Sequence, residues 1–103
     1  MLTVNSKEEY YSLIEEKDMV LVDFYADWCG PCKMMAPILA KVQESMPELT
    51  IIKVDAEENP EILKDFSITS IPTFIFYHKG IAKFEAAGFM PQPKIESMIR
   101  SVL

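Results

Sequence analysis

The sequence lacks a long apolar run, a basic leader and an excess of positive charge. No apolar stretch approaches the ~20 residues that a membrane-spanning helix needs. Residues 1–6 contain no basic segment followed by an apolar one, so no secretory signal is visible. Sixteen acidic residues outnumber ten basic ones, and the net charge of −6 argues against nucleic-acid binding. We therefore expect a cytoplasmic protein that binds neither membranes nor nucleic acid.

Residues that bind metals are also scarce. The chain has two cysteines, Cys29 and Cys32, and a single histidine, His78. A structural zinc site needs four ligands, and a Cys-x-x-Cys pair is normally completed by a second Cys or His pair. That second pair is missing, so we expect no bound metal. A metal shared between two chains is the alternative that the residues leave open.

The two cysteines are poorly placed for a structural disulfide. Stabilisation by a disulfide rises with the length of the loop that it closes. A loop as short as Cys29 to Cys32 gains only about 2 kcal/mol, against about 3 kcal/mol for fifteen residues. The cytoplasm is also reducing, which disfavours a permanent bridge. A reversible redox pair is therefore the interpretation that the residues favour.

Hydrophobic patterning predicts strands and helices in the order β-α-β-α-β-α-β-β-α. The predicted strands are residues 2–4, 19–26, 49–54, 73–77 and 82–87. Strands separated by helices imply right-handed parallel crossovers, whereas the turn at residues 78–80 predicts an antiparallel hairpin. The expected fold class is α/β, a single mixed sheet of about five strands flanked by helices on both faces. We expect one domain over residues 1–103.

Local signals position the first and third helices. Ser6 and Glu9 have the spacing of a capping box, which starts the first helix. Asn59 is expected at the N-cap of the third helix, with Pro60 in its first turn. The second helix begins at the cysteines, because helical apolar spacing follows them directly.

The cysteine pair joins the end of a buried strand to the start of this second helix. Free amides and the helix dipole at a helix N-terminus favour the Cys29 thiolate by ~1 kcal/mol, or by up to ~2 kcal/mol when the site is partly buried. The thiolate is the nucleophile in disulfide exchange, so this position increases reactivity. Gly30 leaves room for another protein to approach, and Pro31 stiffens the turn.

The string Trp28-Cys29-Gly30-Pro31-Cys32, in its strand-to-helix context, resembles the active-site motif of the thioredoxin family, and the similarity extends along nearly the whole chain. The resemblance implies the thioredoxin fold and a general protein-disulfide reductase that acts by dithiol/disulfide exchange at Cys29 and Cys32. It also implies disulfide-containing partner proteins, recycling by an NADPH-dependent thioredoxin reductase, a monomeric chain and no cofactor other than the cysteine pair itself.

The resemblance implies two further catalytic residues, which lie on the predicted strands. Asp23 interrupts an apolar strand, so its carboxyl should be buried and its pKa raised. By resemblance, Asp23 assists proton transfer at Cys32. Lys53 on the next strand matches the family lysine that approaches this acid and tunes it.

The resemblance also implies a substrate-binding surface around the cysteines. Its members are Trp28, Gly30, Pro31, Ile71, Pro72 and Gly88. The segment that ends in Pro72 resembles the family segment with a cis peptide bond before proline, which lies beside the cysteines and pairs with an incoming peptide. Gly88 matches a family glycine that leaves room near the cysteines.

Other functions stay open at this point. The main alternative is a thioredoxin-like binding or chaperone subunit in which redox cycling is secondary, although such a module has no need of both cysteines. An oxidase or isomerase is a second alternative, against which only Gly30-Pro31 argues. The sequence departs from the family at Tyr25, where many members have a second tryptophan, and in the proline-rich segment 89–93 before the last helix.

Overall fold

The computed structural model describes residues 1–103, with strands and helices in the predicted order. The strands are β1 Leu2–Val4, β2 Met19–Tyr25, β3 Thr50–Asp55, β4 Thr73–His78 and β5 Ile81–Ala87. The helices are α1 Lys7–Glu16, α2 Gly30–Ser45, α3 Pro60–Asp65 and α4 Gln92–Ser101. None of these helices has the length and apolar character that crossing a membrane requires.

The five strands form one mixed sheet in the order β1-β3-β2-β4-β5. β1, β3 and β2 run parallel, whereas β4 is antiparallel to β2 and β5 is antiparallel to β4. The predicted mixed sheet with an antiparallel hairpin at one edge is therefore confirmed. β2 lies in the centre, and its nearly continuous apolar sequence follows from burial of both its faces.

Helices cover both faces of the sheet, as predicted, and each face has its own core. One core lies beneath α2 and α4 and contains Leu39 and Leu21. The other lies beneath α1 and α3 and contains Tyr10 and Val22. Successive strand residues point to opposite faces. Asp23 therefore lies on the same face of β2 as Leu21, beneath α2.

The hydrogen bonds at two helix starts differ in part from the prediction. Ser6 Oγ accepts the amide of Glu9 at 3.1 Å, as in a capping box, but Glu9 Oε1 accepts the amide of Asn5 at 3.2 Å instead of the amide of Ser6. Asn59 is the N-cap of α3, yet its side chain caps no helical amide. Its Nδ2 donates to Asp55 O at 3.0 Å. The Asn59 side chain thus closes the connection between β3 and α3.

Turn residues explain the last two boundaries. The hairpin between β4 and β5 turns at Lys79 and Gly80, with φ values of 53° and 79°. Two successive left-handed residues match the right-handed twist of a tight hairpin, and glycine adopts this conformation without strain. α4 begins at Gln92, with Pro91 at the N-cap and Pro93 in the first turn. Proline is well tolerated there because the first helical amides lack intrahelical partners.

A buried pair of tyrosine hydroxyls links α1 to β4. Tyr10 is fully buried, and its hydroxyl lies 2.9 Å from that of Tyr77. Tyr10→Phe leaves the Tyr77 hydroxyl without a partner and is expected to lower the free energy of unfolding by about 1–2 kcal/mol. The Tyr10→Phe/Tyr77→Phe variant should recover part of this loss, because no buried hydroxyl then stays unpaired. Urea denaturation measures both variants, and a double variant less stable than the single one would contradict the pairing.

Candidate active site

The cysteine motif lies at the N-terminus of α2, directly after β2. Cys29 is the N-cap of α2, and Cys32 lies in the first turn. Their sulfurs are joined in a disulfide, with the Cα atoms 5.2 Å apart. The Cys29 amide donates to Ala26 O at 3.1 Å, and the Cys32 amide donates to Cys29 Sγ at 3.2 Å. A donor is therefore already aimed at the Cys29 sulfur, where it stabilises negative charge.

The cysteines are nearly buried, whereas the motif residues around them are exposed. Cys29 is only 4% exposed and Cys32 only 6%. Trp28, in contrast, is 69% exposed, and Gly30 and Pro31 are exposed as well. A Cβ atom at Gly30 would meet no atom within 4 Å. The motif thus presents an open surface beside a shielded sulfur pair.

Asp23 is buried beneath α2, as predicted. It is 1% exposed, and no protein group donates a hydrogen bond to its Oδ1. Burial raises the pKa of Asp23 from 3.8 to about 7, and the positive charge of Lys53 partly opposes this rise. A carboxyl with this pKa is able to accept and return a proton near neutral pH.

Lys53 lies opposite Asp23 in the parallel pairing of β2 and β3. The two side chains nevertheless form no ion pair. The Lys53 ammonium lies instead 4.3 Å from the centroid of the Tyr25 ring. Tyr25 and Lys53 also line a shallow depression of about 200 Å³ beside Cys32. Lys53 therefore acts on the Asp23 carboxyl through space and without direct contact.

The loop before β4 lies against the cysteine pair. Its Ile71–Pro72 peptide bond is cis, as the resemblance implies. The Ile71 side chain packs against the cluster of Ala26, Cys29 and Cys32. Neither the amide nor the carbonyl of Ile71 has a hydrogen-bond partner within the chain. Ile71 therefore offers a free donor and a free acceptor next to the disulfide.

Gly88 follows β5 and is bonded to the same loop. Its amide donates to Pro72 O at 2.8 Å. Its φ of 94° lies in the left-handed region that side chains with a Cβ rarely adopt. A Cβ at this position would meet no atom of the chain within 4 Å. Within the chain, the requirement for glycine is therefore conformational and not steric.

Comparison with known proteins establishes the family. The sequence model of the thioredoxin family matches residues 1–101. The chain belongs to the thioredoxin family. It is 36% identical over 100 residues to the thioredoxin of Mycoplasmoides gallisepticum, which covers 97% of this chain and 100% of that protein. It is 34% identical over 104 residues to the thioredoxin of Bacillus subtilis, with 100% of both chains covered.

The fold comparison agrees with this assignment. The thioredoxin structure from Plasmodium falciparum has a TM-score of 0.90 to this chain at 33% identity, and 100% of both chains is covered. The five-stranded mixed sheet is thus the thioredoxin fold.

The family membership and the cysteine pair together identify the activity of the chain. The chain is a protein-disulfide reductase whose redox-active group is the Cys29–Cys32 pair. Thioredoxins work through their own cysteine pair without a further cofactor. They act on disulfide-containing proteins and are themselves reduced by thioredoxin reductase.

The surface around the thioredoxin motif includes residues that the sequence did not reveal. A shallow depression of about 220 Å³ lies beside Trp28 and Ile71. Its other apolar residues are Ala56, Leu63 and Ile68, which come from the β3–α3 connection, α3 and the loop after α3. Their apolar character is equally typical of core positions, so no local signal distinguished them.

The histidine lies away from this site. His78 ends β4, roughly 16 Å of strand beyond Thr73, which follows the cis peptide bond. Its Nε2 lies 3.6 Å from Asp18 Oδ2. No three His, Cys, Asp or Glu side chains come together as metal ligands. His78 is therefore a residue of the hairpin and not of the cysteine site.

Proposed function

We propose that this chain is a general reductase of cytoplasmic proteins that acts as a monomeric single domain over residues 1–103 and is recycled by an NADPH-dependent thioredoxin reductase. The observation that carries the proposal is the disulfide-bonded Cys29–Cys32 pair at the N-terminus of α2, beside an open surface. The net charge of −6 supports a protein partner over nucleic acid or an anionic membrane.

Partner binding begins beside Ile71. Its free amide and carbonyl suit strand-like pairing with an extended partner segment that carries a disulfide. Trp28, Gly30 and Pro31 are the exposed motif residues around the cysteines, and Trp28 lines the same shallow depression as Ile71. The hydrogen bond from Gly88 to Pro72 holds the Ile71 loop in place. Pairing through backbone groups depends little on side-chain identity, so the surface accepts many partners.

Cys29 makes the first attack in the reduced chain. Its thiolate attacks one sulfur of the partner's disulfide, forming a mixed disulfide, and the other partner sulfur leaves as a thiolate that takes up a proton. The amide of Cys32 and the N-terminus of α2 stabilise the attacking thiolate. Cys29 is thereby the nucleophile, and its near burial limits competing reactions with solvent oxidants.

Cys32 then resolves the mixed disulfide. Asp23 accepts the thiol proton of Cys32, since burial holds the pKa of this carboxyl at about 7. The Cys32 thiolate attacks the Cys29 sulfur, and the second partner sulfur leaves and is protonated. Lys53 lowers the pKa of Asp23 and so sets the fraction of carboxylate that is available. The partner gains both electrons, and the Cys29–Cys32 disulfide forms again.

A coupled assay tests the proposal. NADPH oxidation by a thioredoxin reductase is expected to be continuous when insulin and this chain are both present, and to stop when either is omitted. The chain alkylated at its cysteines is the matched control and should support no oxidation. If the chain accelerates insulin reduction by dithiothreitol but supports no NADPH oxidation with the reductase, only the recycling step is refuted. No acceleration with either reductant would favour the binding or chaperone function instead.

A further inference from the structure

Three side chains of β2 and β3 share one face of the sheet beside the cysteines. Asp23 and Lys53 are opposite each other in the parallel pairing. Tyr25 follows Asp23 by two positions, and alternate strand residues point to the same face. The flexible Lys53 side chain therefore has two attractive groups within reach, which are the Asp23 carboxyl and the face of the Tyr25 ring.

The Lys53 ammonium lies on the ring. Its Nζ is 4.3 Å from the Tyr25 centroid, within the range of a cation–π interaction. Lys53 makes no ion pair with Asp23, and Asp23 Oδ1 accepts no hydrogen bond from the protein. Buried charged groups are normally paired with an opposite charge. Lys53 is opposite Asp23 in the strand pairing, yet its ammonium lies on the Tyr25 ring, and this position requires a physical cause.

We propose that Tyr25 is a positioning residue that holds the Lys53 ammonium on its ring and away from the Asp23 carboxyl. Lys53 then acts on Asp23 only through space. Burial consequently dominates the environment of Asp23 and raises the pKa of its carboxyl. Without the ring, the ammonium is free to approach the carboxyl and to stabilise its ionised form.

Other titratable groups face this cluster and remain the same in every variant below. They are Cys32 and Lys33 on α2, Asp27 before α2, and Asp55 and Glu58 at the end of β3 and after it. On β4, the residue opposite Asp23 is the uncharged Phe74. Cys32 does not titrate in the oxidised chain because it is disulfide-bonded. These other groups are therefore the same in each titration. A change in the titration midpoint of Asp23 in the oxidised chain then reports on the position of the Lys53 ammonium.

An NMR titration of the Asp23 carboxyl carbon in the oxidised chain tests the proposal. Tyr25→Leu is expected to lower the titration midpoint by roughly half a pH unit, because the ammonium moves towards the carboxyl. Tyr25→Phe keeps the ring face and should leave the midpoint unchanged. In the Lys53→Met background, Tyr25→Leu should have no effect, since no ammonium is left to move.

Two outcomes of this titration would overturn the proposal. The first is an unchanged midpoint in Tyr25→Leu. The second is a lowered midpoint that persists in the Lys53→Met background, because the ring would then act by shielding Asp23 from water. A further readout needs no variant, and so does not depend on the folding of Tyr25→Leu. The ring current of Tyr25 should shift the Lys53 Cε protons upfield in the native chain, and unshifted protons would equally overturn the proposal.

Only the functional consequence of this inference rests on the proposed proton-accepting role of Asp23. The titration is measured in the oxidised chain without a partner protein. Failure of the proposed function would show in the coupled insulin assay and leave the titration unchanged. Failure of the positioning role would show in the titration and leave insulin reduction intact.

Discussion

Replacing Cys29 by serine is expected to abolish catalysis of insulin reduction, leaving only the rate of dithiothreitol itself. The serine hydroxyl is not ionised at neutral pH and forms no mixed disulfide, so the first step of exchange is lost. Cys29 is the N-cap of α2, and serine is also a favourable N-cap residue. Cys29→Ser should therefore fold normally, and loss of activity reports on the chemistry. Insulin turbidity with dithiothreitol measures the rate.

Cys32→Ser is the matched control for this experiment. It keeps the attacking sulfur and removes the resolving one, so it should form a stable mixed disulfide between Cys29 and a single insulin chain. Mass spectrometry without reductant measures this complex, which Cys29→Ser should not form. Trapping by Cys29→Ser in place of Cys32→Ser would assign the attack to Cys32 and contradict the proposed order of steps.

Asp23→Asn is expected to stabilise the oxidised protein strongly at about pH 8, and much less at about pH 4. Burial raises the pKa of Asp23 from 3.8 to about 7 in the folded chain. Below the lower value, the carboxyl is protonated in both the folded and the unfolded chain. Between the two values, the unfolded chain loses the proton while the folded chain keeps it. The free energy of unfolding therefore falls as the pH rises, by about 1.4 kcal/mol per pH unit and by about 4 kcal/mol in total.

Urea denaturation of the oxidised chain at both pH values measures this effect. Asparagine has nearly the same shape as aspartic acid and no charge, so the wild type should lose stability between these pH values relative to Asp23→Asn. Asp27→Asn, which changes an exposed carboxyl close by, is the control and should show no comparable pH dependence. Equal pH dependence of Asp23→Asn and the wild type would show that Asp23 is ionised in the folded chain.

Features that depend on residues close together in the sequence were predictable from the sequence. The apolar residues are continuous in β2 and have helical spacing after the cysteines. This local change of pattern places Cys29 at the start of α2. The burial of Asp23 follows in the same way, because a side chain within a strand covered on both faces has no route to water. The order of strands and helices, and the hairpin at Lys79-Gly80, also depend on local periodicity and turn residues.

The resemblance to thioredoxins supplied what local periodicity does not contain. The cis bond at Ile71–Pro72 is an example, since a proline at the start of a strand is ordinary in itself. The packing of Ile71 against the cysteines arises because β4 pairs with β2, so that the start of β4 lies near the end of β2.

Contacts between distant segments were decided only by the tertiary structure. Lys53 rests on Tyr25 and not on Asp23, and Ala56, Leu63 and Ile68 line a shallow depression beside Trp28. Apolar periodicity indicates which face of a helix or strand is buried, but it does not indicate which residues of another segment that face meets. Strand order, register and side-chain rotamers determine those neighbours, and they are properties of the whole folded chain.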